Sequence, residues 1–357
     1  MTCALPVGSA EDQGMSSSQL EHASALLAAE VDAGRVAAAS LLVARHGHVV
    51  LHAGFGAPAD AVYLLASISK PVNAVALMLL VERGQLALDD PVSRYLPEFA
   101  GADRVGVRVR DLLTHTSGLP DMLPENLALR RAHAPLGAFV QAACSTPLLF
   151  APQTGFSYQS MGTLLAGEIV QRLSAQPLRV FHQREIFDVL GMQASSLGLG
   201  GRPMTDTVMC QTDDSADMER FGPNSLYWRD MGHPWGGMFS TVADLALLLQ
   251  VFLDGGLFAG RPFLAPATVA AMVCDQNTAI GKPWGLGWGL ATSPVWVYCG
   301  DRVSPRTFGH SGATGTVAWA DPDRQLLAVI LTTRPTTLDG GRLLCRISDA
   351  VAAAVLP

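Results

Sequence analysis

Ser67 and Lys70 stand three residues apart, a spacing that on a helix puts both side chains on one face. A hydroxyl and an amine so placed could act as nucleophile and base, the chemistry of acyl transfer through a covalent intermediate. Ser-x-x-Lys alone is a common accident. Here it uses one of only two lysines, Lys70 and Lys282, and it follows Leu64, Leu65 and Ala66, an odd setting for a solvated ammonium. Burial at such a place lowers a lysine pKa, because desolvation disfavours the charged amine, and leaves a base usable near neutral pH.

The element that must hold this pair is a helix beginning near Ser67. Val72, Val75, Ala76, Leu79 and Leu80 recur at helical spacing, and Ala74, Leu77, Met78 and Val81 fill the other faces, so the helix belongs in a core. Pro71 fits only in the first turn, where a missing N–H costs least, and Gly84 is a natural stop. The helix N-terminus directs unpaired N–H groups and a positive dipole towards Ser67, which favours a developing oxyanion.

At 357 residues the chain exceeds the usual size of a single core, so two lobes are expected. Apolar content of 49% with only 15% charged residues excludes a disordered chain. A net charge of −7 and the lack of a basic run argue against nucleic acid. Cys3, Cys144, Cys210, Cys274, Cys299 and Cys345 are scattered without metal-ligand spacing, so six reduced thiols and no metal or cofactor are expected. Met1 to Met15 lacks the pattern of a secretory signal and no apolar run reaches membrane-spanning length, which gives the expectation of a cytoplasmic protein.

Ser16 to Ser18 can cap a helix ending near Gly34, and Ala39–Arg45 with His48–Ala53 reads as a hairpin across His46-Gly47. His46, His48 and His52 fall on one strand face by period two, but nothing among them completes a ligand set, so they read as solvent-facing residues. Arg110 to Pro120 reads as a short helix closed by Gly118 and Pro120, with His115 a buried, hydrogen-bonded residue rather than a base. Tyr158 sits where a turn-rich run enters a helix, a usual place for a site residue held by a scaffold. Arg179–Leu190 and Ser240–Leu253 read as further helices. Between them Phe221, Tyr227, Trp228, Trp235 and Phe239 make an aromatic loop, either a pocket wall or a flap over the core. Strand signals resume beyond Trp284 at Thr307–His310, Gly315–Ala320 and Gln325–Thr332, and Leu343–Leu356 closes as a helix. The expected architecture is α/β (α+β): a discontinuous lobe of residues 1–66 and 284–357 with an antiparallel sheet, and a mostly helical lobe of residues 67–283 inserted in it.

The motifs Leu65-Ala66-Ser67-Ile68-Ser69-Lys70, Leu112 to Pro120, the Tyr158 segment, Gly236 to Thr241 and Phe308-Gly309-His310-Ser311-Gly312 occur in this order. Together they resemble the serine β-lactamase and penicillin-binding-protein-like superfamily, on the branch of class C β-lactamases, D-alanyl-D-alanine carboxypeptidases and family VIII carboxylesterases. The likeness runs from about Glu11 to Pro335. It implies that Ser67 is acylated, that Lys70 and Tyr158 handle the proton, and that His310, Ser311 and Gly312 line the opposite wall. It also implies an oxyanion hole from the backbone N–H groups of Ser67 and Ala313. No G-x-S-x-G elbow is present, since Gly309-His310-Ser311-Gly312-Ala313 breaks it at the last place.

Two departures bear on substrate. Tyr158-Gln159-Ser160 stands where relatives usually carry Tyr-x-Asn, and His310-Ser311-Gly312 where they carry Lys-Thr-Gly. A histidine of ordinary pKa is mostly neutral at pH 7, so the fixed charge for a substrate carboxylate is missing, unless Arg306 supplies it. A neutral ester loses nothing by that change. The expected activity is therefore hydrolysis of small carboxylic esters, with Gln159, Ser160, Trp235 and Phe239 as further pocket residues and Tyr158, aided by Lys70, as the acylation base. An acyltransferase of small-molecule biosynthesis is the alternative, with weak β-lactamase or D-amino-acid peptidase activity next and a non-catalytic binding module last. The partner expected is a small-molecule ester, not a nucleic acid or a membrane; oligomeric state is not legible.

Overall fold

The computed structural model describes residues 4–212 and 215–357, so Cys3 lies outside the described residues. The five cysteines within them are free thiols. Among the described residues no helix is long and apolar enough to cross a membrane.

The sheet that closes one lobe is built from both ends of the chain. Strands β1 (Ala39–Arg45) and β2 (His48–Phe55) form the expected hairpin. The short pieces β3 (Tyr63–Leu64), β4 (Ser196–Leu197) and β5 (Met238–Ser240) make a separate three-stranded sheet in the order β3-β5-β4. A small hairpin, β6 (Leu257–Phe258) with β7 (Arg261–Pro262), follows. Strands β8 (Gly289–Leu290), β9 (Phe308–Gly312), β10 (Thr316–Asp321) and β11 (Leu326–Thr332) complete the main sheet, ordered β2-β1-β11-β10-β9-β8 and antiparallel throughout.

Side chains alternate across this sheet, so one strand feeds two cores. Leu41, Val43, Val317, Trp319, Ala328 and Ile330 pack under the helices Ser17–Asp32 and Arg342–Ala353. Leu42, Ala44, Ala318, Leu327, Val329 and Leu331 join the opposite core, with the Val242–Leu253 helix on that face. Burial on both faces explains the continuous apolar runs Leu41–Ala44 in β1 and Leu326–Leu331 in β11. The same core continues into the Ser69–Glu82 and Ser160–Ser174 helices. Val242–Leu253, inside the 67–283 span, therefore lies on the sheet. Thr241 caps that helix by accepting the Asp244 N–H at 3.2 Å.

Local chemistry sets the helix that carries Lys70. A 3-10 turn, Ala66–Ile68, runs into the Ser69–Glu82 helix, and every residue from Ser69 to Leu80 is buried. Ala66 has a φ of 49°, a left-handed conformation costly for a residue with a Cβ. The Ser69 hydroxyl helps hold it, donating to the Ala66 carbonyl at 2.7 Å and accepting the Met238 N–H at 3.0 Å. The Arg179–Leu190 expectation is met by Leu178–His182, a π turn over Gln183–Phe187 and Asp188–Leu190. The three early histidines do not share a face. His46 is in the hairpin turn at a φ of 50°, and His52 pairs with Asp60 at 3.0 Å.

Candidate active site

Lys70 reaches Ser67 directly. Its Nζ lies 3.0 Å from Ser67 Oγ and 3.1 Å from the Trp235 carbonyl. Lys70 is 3% exposed, and burial pulls its pKa down to about 7, with the Asp121 carboxylate acting weakly the other way. An amine at that pKa is about half neutral at neutral pH, so its lone pair is available to a hydroxyl proton.

Tyr158 comes from the loop before the Ser160–Ser174 helix, and its ring centroid is 4.7 Å from Lys70 Nζ. Burial drives its phenol pKa well up, a hydrogen bond with Ser67 opposing. The phenol stays protonated. His115 sits behind it, ring centroids 4.6 Å apart, and accepts the Gln159 N–H on Nδ1 at 3.1 Å. That bond makes Nε2 the protonated nitrogen of a neutral ring, and burial holds the His115 pKa well below its usual value.

Two cavities open onto Ser67 and Tyr158. The larger, about 610 Å³, is lined by Leu64, Met122, Met218, Trp228, Trp235 and Leu338 among others. The smaller, about 200 Å³, is walled by Trp284, Trp296, Tyr298, His310, Ser311 and Gly312. Ser67, Tyr158 and Ala313 belong to both. Ser67 thus sits at the junction, partly exposed.

Strand β9 brings the opposite wall close. A Cβ built on Gly312 would lie 2.1 Å from the Leu65 carbonyl and 2.3 Å from Thr316 Oγ1, so only glycine permits the approach. Thr314 and Thr316 donate to the Leu64 and Leu65 carbonyls, each at 2.9 Å, and tie the strands to the segment before Ser67. His310 donates from Nδ1 to the Ser311 carbonyl at 2.8 Å, which leaves Nε2 as a buried acceptor. Burial, and Lys70 nearby, push its pKa down to about 3.

Several expected pocket residues lie elsewhere. Gln159 is extended, with φ −137° and ψ 132°, so its side chain points opposite to those of Tyr158 and Ser160. It lines neither cavity; it accepts from Ser117 Oγ at 2.6 Å and donates to the Asp111 carbonyl at 2.9 Å. Phe239 also lines neither cavity, because β5 turns it into a small cluster with Leu64, Leu199 and Cys210. Arg306 is 72% exposed and bound to Asp323 at 2.9 Å, so it does not supply the charge that His310 lacks. Trp235 and Ser160 line the larger cavity. Trp228 joins them, so part of the aromatic loop is wall, while Tyr227 donates to the Ala134 carbonyl and Phe221 is buried.

Other lining residues were not legible in the sequence. Asp121 accepts from Ser160 Oγ at 2.6 Å in the larger cavity. Its place directly after Leu119-Pro120 was the available signal. Arg130, Trp284, Trp296 and Tyr298 offered none, since each reaches the site through packing of distant segments.

A family model described as Beta-lactamase matches residues 23–351. The chain belongs to the Beta-lactamase family. It is thereby placed in the serine-hydrolase superfamily of β-lactamase and penicillin-binding-protein type, and the two-lobed α/β architecture is that of the family. A relative from Salmonella gallinarum (strain 287/91 / NCTC 13346), provisionally named a D-alanyl-D-alanine carboxypeptidase, is 27% identical over 93% of this chain and 86% of its own length. A hydrolase with promiscuous acyltransferase activity shares the Beta-lactamase fold at a TM-score of 0.76, 22% identical over 94% of this chain and 99% of that one. A family VIII carboxylesterase does so at 0.74, 20% identical over 95% and 99%.

Proposed function

We propose that this chain is a carboxylesterase that forms an acyl-enzyme on Ser67. The observation that carries the reading is the small cavity beside Ser67: none of its lining residues is a lysine or arginine, and His310 is held neutral. A β-lactam or a peptide C-terminus brings a carboxylate that needs a cation there, and loss of such a contact costs about one to two decades in affinity. An ester of a neutral alcohol needs none. The name borne by the Salmonella relative points to a peptidase, and this cavity argues for the ester.

In the proposed reaction, neutral Lys70 keeps one N–H on the Trp235 carbonyl and takes the Ser67 proton on its lone pair. Ser67 Oγ then bonds to the ester carbonyl carbon. The oxyanion is met by the N–H groups of Ser67 and Ala313, a contribution worth roughly 10² to 10³ per donor. As the C–O bond breaks, Tyr158 protonates the departing alkoxide and is resupplied from Lys70. Water repeats the sequence, releases the acid and restores Ser67. Lys70 is a better base than Tyr158 here, because its pKa falls towards neutrality while that of the phenol rises away from it.

The test is a panel of p-nitrophenyl esters of graded chain length, a chromogenic cephalosporin and a D-alanyl dipeptide, run on native protein and Ser67→Ala. Esters should turn over fastest, with Ser67→Ala lower by roughly three orders of magnitude or more. A cephalosporin or dipeptide turned over faster than every ester would overturn the substrate class.

A further inference from the structure

The two cavities differ in charge. The small one has no cation in its wall, whereas Arg130 lines the large one with Ser67. Its guanidinium lies 3.9 Å over the Trp228 ring and gives Nε and Nη2 to a single acceptor, the Phe221 carbonyl, at 3.2 and 2.6 Å. Nη1 has no hydrogen-bond partner among the described residues, and no described carboxylate lies within ion-pair distance of Arg130. Neighbouring Arg131 does pair, with Asp217 at 2.8 Å. Asp121, the one carboxylate among the described lining residues, accepts from Ser160 and acts on Lys70 and Tyr158, not on Arg130.

A part-buried guanidinium whose one hydrogen-bond partner among the described residues is a neutral carbonyl is incompletely compensated. The planar group presents its free edge in a fixed direction, since one face is covered by Trp228. Around it the cavity is mostly apolar, with Met122, Met218 and Trp228. We propose that Arg130 binds an anionic group at the far end of the substrate half that fills the larger cavity, so that preferred substrates are half-esters of dicarboxylic acids or acids of similar shape. The ester end lies at Ser67, an apolar chain crosses the cavity, and a carboxylate meets Nη1. This assignment rests on the esterase reading and deepens it.

The test uses p-nitrophenyl esters matched in length: hexanoate against the half-ester of adipic acid, and octanoate against the half-ester of suberic acid. For at least one pair, native protein should favour the anion by about tenfold or more in kcat/KM, chiefly through KM, and high ionic strength should weaken the preference. In Arg130→Gln the ratio between the two members should fall to about one or below, and Arg130→Lys should restore part of it. Equal turnover of both members by native protein overturns the proposal. So does an equal loss on both members in Arg130→Gln, which is what an anchor for the Phe221 carbonyl alone would give. The native preference and its salt dependence need no variant, so misfolding of Arg130→Gln does not protect the proposal. If no ester of either kind is cleaved, the esterase reading falls, and titration of Ser67→Ala protein with monomethyl suberate decides for Arg130. Binding that Arg130→Gln abolishes in that background keeps the assignment; no binding, or binding that the change leaves intact, ends it.

Discussion

At the scale of single residues, the chemistry turns on one amine. Lys70 has a folded pKa of about 7 because burial disfavours its charge, so the active, neutral form grows as pH rises through that value. The kcat/KM for a neutral ester should therefore climb about tenfold per pH unit below pH 7 and level off above it. Lys70→Arg keeps a cation that does not deprotonate, and should lose about 10² to 10⁴ in rate together with the inflection. A profile flat from about pH 5 to about pH 9 in the native enzyme would remove Lys70 as the base. Tyr158 takes the complementary part, since the same burial that frees the lysine lone pair keeps the phenol proton in place.

At the scale of elements, the site depends on how closely β9 approaches the turn before the Ser69–Glu82 helix. Gly312 permits that approach, and the bonds from Thr314 and Thr316 hold it. In Gly312→Ala the new methyl cannot fit 2.1 Å from the Leu65 carbonyl, so strand or turn must shift. Ala313 would move with the strand. A displacement near an ångström costs about 10² in rate, so kcat/KM should fall by about that factor while far-UV circular dichroism stays native. Activity within about twofold of native would mean that β9 does not position the reacting carbonyl. The Tyr158 loop follows similar logic. Its extended backbone sends Tyr158 and Ser160 to the cavities and Gln159 to the Ser117 and Asp111 side.

At the scale of the molecule, four buried histidines make the fold sensitive to acid. His115, His182, His233 and His310 are each 2% exposed or less, and burial lowers the pKa of all four, to about 3 for His182 and His310. Unfolded, each titrates near 6.5. Below that value the unfolded chain binds more protons than the folded one, so stability is lost as pH falls from about 6.5, at up to about 1.4 kcal/mol per unit for each ring, and for His182 and His310 the loss continues to about 3. Cooperative acid unfolding is expected in that window. Neither ring nitrogen of His182 has a partner among the described residues, and the ring packs on Phe187. His182→Leu should therefore move the acid midpoint to lower pH and reduce the steepness by about one proton. An unchanged midpoint, followed by circular dichroism, would count against this account.

Local physics made a good part of this protein legible in its sequence. Periodicity and stop residues marked the Ser69–Glu82 helix, strands β1, β9, β10 and β11, and the terminal helices, because these elements bury stripes or faces whose spacing is written in consecutive residues. The Ser67–Lys70 contact follows from one helical turn. Tertiary structure alone decided the rest. It turned Phe239 and Arg306 away from the cavities, set Tyr158 beside Lys70 and put Arg130 in the wall of the larger cavity. Which way a side chain faces at a strand or loop position, and how far burial moves a pKa, depend on neighbours from remote segments, and no local spacing encodes them.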